Sequence, residues 1–268
     1  MNRIDAAFTV LGASSQKAFV AYVCAGDPDL ATTVEIVRIL ESCGVDIIEL
    51  GLPFSDPLAD GIVNQMAAGR ALASGTTTAG VLSMIRQIRE FSQIPLVLFT
   101  YLNPVYVYGF EKFHADAAAA GADGVLLLDL PADEQVRNAE LPRQQNLRRI
   151  GLIAPTTPAA RAREIAEAAE GFIYYISREG VTGAQVALAE NLSEQSAAIV
   201  AVSKVPVCVG FGISTPDQAA AVTAVADGVV VGSAIVKVIA EHGREAALAE
   251  KLRAFVRPLV AAAKGLPA

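Results

Sequence analysis

The chain has 268 residues, a formal net charge of −7, two histidines and no tryptophan, and 53% of its residues are hydrophobic against 18% charged. The acidic balance and the lack of any Lys/Arg run argue against nucleic acid as a partner, although a small anion can still be held locally by backbone groups. No apolar run nears the roughly 20 residues that cross a bilayer, and the first 13 residues lack the basic-then-apolar pattern of a secretory leader, so a cytoplasmic protein with no membrane association is expected.

Eight short β-branched runs follow one another at 18–24, 46–50, 95–101, 124–128, 149–153, 172–176, 205–209 and 228–231. Between them, Ala-rich segments with helical periodicity lie at 30–42, 78–91, 110–120, 159–170 and 216–225, and a last one at 245–262. Each is long enough for a right-handed crossover, so the alternation predicts a parallel sheet. The first strand leads into Ala25-Gly26-Asp27-Pro28 rather than a Gly-x-Gly-x-x-Gly turn. That favours an α/β fold closed as a (β/α)8 TIM barrel, residues 1–268 forming one domain, over an open doubly wound sheet. Cys24, Cys43 and Cys208 fall in apolar context and read as free thiols, and His114 and His242 sit on separate helical segments, so no metal site is expected.

Barrel enzymes carry their chemistry on the loops after the strands. On one side these loops are glycine-rich: Gly210-Phe211-Gly212-Ile213-Ser214 after the seventh strand and Gly232-Ser233-Ala234 after the eighth, at a helix start. Adjacent loops of this kind converge free N–H groups and a helix dipole on an anion, which predicts a phosphate site; tight turns and a capping role for Ser233 are the plainer alternative. On the other side the loops carry carboxylates. Strand alternation puts Glu49 on the face of Ile47, at the mouth of an apolar barrel, where desolvation would lift its pKa toward neutrality as an acid/base group requires; a structural ion pair is the alternative. Asp56 and Asp60 follow in the Pro-containing loop 51–61, where turn-forming and capping roles compete with chemistry.

The string Glu49-Leu-Gly-Leu-Pro-Phe-Ser-Asp-Pro-Leu-Ala-Asp60-Gly61 resembles the signature of the tryptophan synthase alpha subunits. Ala25-Gly-Asp-Pro-Asp29, Tyr101-Leu-Asn-Pro104, Asp129-Leu-Pro131, Tyr175-Ile-Ser-Arg-Glu-Gly-Val-Thr-Gly183 and Val231-Gly-Ser-Ala-Ile-Val236 agree in order and spacing, from Phe8 to the last helix. The resemblance implies retro-aldol cleavage of indole-3-glycerol phosphate to indole and glyceraldehyde 3-phosphate in L-tryptophan biosynthesis, with no cofactor in this subunit. It implies Glu49 as general acid/base, Asp60 facing the indole N–H, and Tyr175 ordering the site near Glu49. It assigns Gly183, Gly212, Gly232 and Ser233 to phosphate binding and Thr182 to a closing loop, 178–183, that meets Asp60. Asp56, Asn103, Pro104 and Asp129 match positions facing a beta subunit, a pyridoxal-phosphate enzyme, in an α2β2 heterotetramer. Where the family reads Asp-Gly-Pro, this chain has Asp60-Gly61-Ile62, a departure that predicts a looser loop around Asp60. Two other readings stand beside this one: a barrel epimerase or isomerase on a phosphorylated sugar, and a subunit that only binds and activates a partner.

Overall fold

The β-branched runs take up parallel strands that pair side by side: β1 (Ala18–Cys24), β2 (Ile47–Gly51), β3 (Leu96–Thr100), β4 (Gly124–Leu127), β5 (Arg148–Arg149), β6 (Gly151–Ile153), β7 (Ile173–Ile176), β8 (Val207–Gly210) and β9 (Gly228–Val231). The computed structural model describes residues 1–131, 134, 140–176, 199–210 and 212–266. Strand order is β5-β4-β3-β2-β1-β9-β8-β7-β6. The two ends of that order, β5 and β6, are one stretch of chain interrupted only at Ile150, whose N–H donates to the Val125 carbonyl at 3.0 Å. Arg148 pairs with Gly124 on one side and Gly151 with Ile173 on the other, so the stretch predicted as one strand at 149–153 serves both neighbours and closes the ring. The fold is therefore the expected α/β barrel of eight staves.

Around it run α1 (Arg3–Ala13), α2 (Leu30–Ser42), α3 (Ile62–Ala73), α4 (Thr78–Arg89), α5 (Leu102–Tyr108), α6 (Phe110–Ala120), α7 (Glu140–Gln144), α8 (Ala159–Ala168), α9 (Pro216–Thr223), α10 (Ser233–His242) and α11 (Leu248–Ala263). Alternation along each strand divides the apolar residues into two cores. The larger lies between strands and helices, with Phe19, Ile48 and Leu98 facing Ile36, Leu40 and Ile85. The smaller fills the barrel: Val20, Ile47, Val97, Leu126, Phe172 and Val230, with Ile4 and Leu11 of α1 wedged into its floor. Asn2 ties that helix down, accepting from Ile4 N at 2.9 Å and donating to the Asp123 and Asn146 carbonyls at 2.8 and 2.7 Å.

The floor is also stitched by carboxylates. Asp46, Asp123 and Asp227 each precede a strand and accept from the first or second N–H of a neighbouring strand: Phe19 at 2.8 Å, Leu96 at 2.9 Å and Val207 at 2.9 Å. Lys264 pairs with Asp46, and both Arg3 and Arg89 with Asp123. The three cysteines are free and buried, and His114 is 2% exposed with Nδ1 on the Phe110 carbonyl at 2.7 Å. Among the described residues no helix is long and apolar enough to cross a membrane.

Candidate active site

Glu49 points into the barrel from the middle of β2, in register with Tyr22 of β1 and Val97 of β3. It is fully buried, and neither carboxyl oxygen has a hydrogen-bond partner among the described residues. Burial alone raises its pKa from 4.5 to about 8, because an unpaired charge in an apolar barrel loses its hydration without replacement. A carboxyl so placed is protonated at neutral pH and able to give up that proton within the working range.

Asp60 stands on the rim above it, just before α3. The Tyr101 hydroxyl, at the end of β3, donates to Asp60 Oδ2 at 3.0 Å and accepts from Ala59 N at 2.9 Å, so one phenol fixes both the carboxylate and its loop. The Phe54 ring packs on Tyr101 at 5.3 Å between centroids. Burial raises the Asp60 pKa, while the hydrogen bonds from Tyr101 and Asn64 oppose the rise. Sequence reading placed Tyr101 only at a strand end; that its hydroxyl reaches 41 residues back to Asp60 has no local signal.

Tyr175 does not join this site. Phe172 and Tyr174 lean toward the barrel interior, whereas Ile173 and Tyr175 belong to the outer core, where Tyr175 is 2% exposed. Side chains on a strand alternate, so a match displaced by one residue in Phe172-Ile-Tyr-Tyr-Ile176 moves the phenol to the opposite face. The inward phenol is Tyr174. Burial first, then the carboxylates of Glu49 and Asp60, hold its pKa above the ordinary tyrosine value. Its ring lies against Gly210, where an added Cβ would sit 2.9 Å from the hydroxyl, so the glycine makes room for the ring.

On the glycine side, Gly212 has φ +66° and is exposed, and Gly232 forms the N-cap of α10 with no side chain over the helix end. Val236 N makes the first intrahelical bond, to the Gly232 carbonyl, leaving the N–H groups of the first turn directed outward beside Ser233. A Cβ on Gly232 would meet Tyr22 at 3.3 Å, and one on Gly51 would collide with the Tyr22 hydroxyl. Tyr22 thus spans the interval between the carboxylate half and the helix end. Thr182 and Gly183 lie outside the described residues.

Asp56 and Asn103 are exposed and Pro104 is half-buried, all on the C-terminal face. Asp129 is exposed too, but its Oδ1 accepts from Leu102 N at 2.6 Å, capping α5. Around them the same face exposes Leu58, Ile62, Met66, Tyr106 and Val107, each at least 59% accessible. Among the described residues no group of His, Cys, Asp and Glu is placed to hold a metal ion.

The family model described as tryptophan synthase alpha chain matches residues 8–264. Two relatives named tryptophan synthase alpha chain, from Opitutus terrae and Geobacter sulfurreducens, are 49% and 50% identical, covering 98% and 92% of this chain and 100% and 96% of their own. The crystal structure of tryptophan synthase subunit alpha from Legionella pneumophila superposes with a TM-score of 0.89 at 38% identity over 98% of both chains. A chain of Mycobacterium tuberculosis tryptophan synthase superposes with a TM-score of 0.87 at 34% identity, again over 98% of each. The chain belongs to the tryptophan synthase alpha chain family, and it is the lyase that releases indole from indole-3-glycerol phosphate in tryptophan biosynthesis.

Proposed function

We propose that Glu49 is the acid/base of this cleavage and Asp60 its electrostatic partner. The observation that carries the reading is the Glu49 carboxyl itself, enclosed, unpartnered among the described residues and titrating at about 8. In its protonated form it delivers a proton to indole C3. As a carboxylate it then takes the proton of the adjacent glycerol hydroxyl, so that the C3–carbon bond breaks, the aldehyde forms and the bonding pair returns to the ring as indole. One proton has moved from hydroxyl to C3. Asp60, held by Tyr101, faces the ring N–H and stabilises the positive charge present only while C3 is tetrahedral, a differential transition-state effect.

Tyr174 takes the ordering role beside Glu49 that the resemblance gave to Tyr175. Gly212, Gly232 and Ser233 hold the phosphate at the α10 end, completed by Gly183, while Thr182 meets Asp60 on loop closure. The subunit needs no cofactor and works as one domain in the cytoplasm. Its partner is the pyridoxal-phosphate beta subunit in an α2β2 assembly, seated on the face of Asp56, Asn103, Pro104 and Asp129. The apolar side chains exposed there support that seat, since contiguous exposed apolar surface marks interaction sites.

The test is indole release by the purified chain, alone and with a beta subunit. Glu49→Gln is expected to lower kcat by about 100-fold or more under both conditions, the range of a lost acid/base. A variant cleaving at near-normal rate removes Glu49 from the chemistry, and a partner without effect on the native rate removes the proposed coupling.

A further inference from the structure

Helix α3 occupies a place that a simple barrel leaves open. Its small face, Ala67, Ala68 and Ala71, packs on Tyr22 and Cys24, which are inward residues of β1, and on Val236 of α10. It therefore lies across the mouth, with Asp60 two residues before its first turn and the anion-binding helix alongside. At the near end Tyr101 holds the Asp60 carboxylate, but the start of α3 itself has no cap. Gly61 is an N-cap with no side-chain bond and Ile62 is 68% exposed, while Gln65 Nε2 donates to the Asp60 carbonyl at 2.8 Å and Asn64 bonds its side chain.

The far end is held firmly. Arg70 Nε and Nη2 donate to Asp27 Oδ1 and Oδ2, both at 2.8 Å, across 43 residues of sequence. Asp27 is 2% exposed and sits on the turn after β1, so the carboxylate is anchored in the barrel itself. The Ser74 hydroxyl adds a bond to the Gly26 carbonyl of the same turn at 3.2 Å. Two parallel charge-assisted bonds fix angle as well as distance, which a single bond does not.

We propose that the Arg70–Asp27 pair is a positioning device that sets the lie of α3 and through it the aim of Asp60. Arg70 touches no reacting atom. Its effect reaches the reaction along a rigid helix, and it takes over the fixing that a proline at position 62 would have supplied at the near end. This rests on the reading of Asp60 as the partner of the ring N–H.

The experiment is a double-mutant cycle on indole release, with thermal unfolding of every variant recorded beside it. Arg70→Lys keeps the charge but not the paired geometry, and is expected to lower kcat by roughly 10- to 100-fold with KM for indole-3-glycerol phosphate within about twofold. Added to Asp60→Asn it should cost less than about twofold more, because the residue it aims is already gone. The pair D27N/R70Q, which restores a neutral bidentate contact, should recover part of the kcat lost in Arg70→Gln, and Arg70→Gln replaces Arg70→Lys in the cycle if the lysine variant does not fold. Full kcat in Arg70→Lys, a loss confined to KM, or full multiplication of the loss in the Asp60→Asn background each overturns the proposal. Wild-type activity in Asp60→Asn alone overturns instead the role of Asp60.

Discussion

A carboxyl group that loses all its hydration and receives no hydrogen bond in return is a burden on the native state unless it keeps its proton. Glu49 is that case, with its pKa raised from 4.5 to about 8. Between those values the folded chain holds a proton that the unfolded chain has released, so the native state becomes less stable by about 1.4 kcal/mol for each pH unit of rise. The penalty is absent below 4.5, accumulates through the interval and is complete above 8. Glu49→Gln cannot ionise, so its stability advantage over the native chain should widen from pH 4.5 to 8 in urea unfolding and then level off. A constant difference across that range would mean that the carboxyl is hydrated or paired. The two adjacent tyrosines give a second test at this scale. Tyr174→Phe, which removes the inward hydroxyl close enough to feel the Glu49 and Asp60 charges, should lower kcat/KM by about tenfold, while Tyr175→Phe on the outer face stays within about twofold.

Among the elements, the strand starts on the barrel floor carry much of the register. Asp123, 2% exposed, accepts from Leu96 N, Arg3 and Arg89 at once. Asp123→Asn leaves the Arg89 guanidinium, whose pKa burial already lowers to about 10, with the Gly121, Ser92 and Ile94 carbonyls but no balancing charge, and should cost about 3 kcal/mol by urea unfolding with little change in KM. What could be read from sequence follows from the same physics. The strands and the helices packed on them were legible because β-branched runs alternate with amphipathic segments. Helices α3 and α5 were not, since Ile62–Ala73 lacks a stripe of large apolar residues and buries only its small face at the barrel mouth, and Leu102–Tyr108 carries a proline in its first turn. Glu49 was legible from alternation on its own strand. Tyr174 was missed because two like residues stand side by side, and Arg70 because its partner lies 43 residues away.

For the whole molecule, closure depends on the stretch 148–153 and on the helix beneath it. Ile4 is fully buried in the barrel core, so Ile4→Ala should cost about 2–5 kcal/mol through the cavity it leaves, measured by thermal unfolding. The same helix settles how molecules travel. With Ile4 and Leu11 plugging the floor, the barrel is a cup and not a pipe. Among the described residues the cup opens at the C-terminal face, where Leu58, Tyr106 and Val107 are exposed. With the floor plugged, the open face is left to serve entry and exit alike, so anything seated on it is expected to affect both.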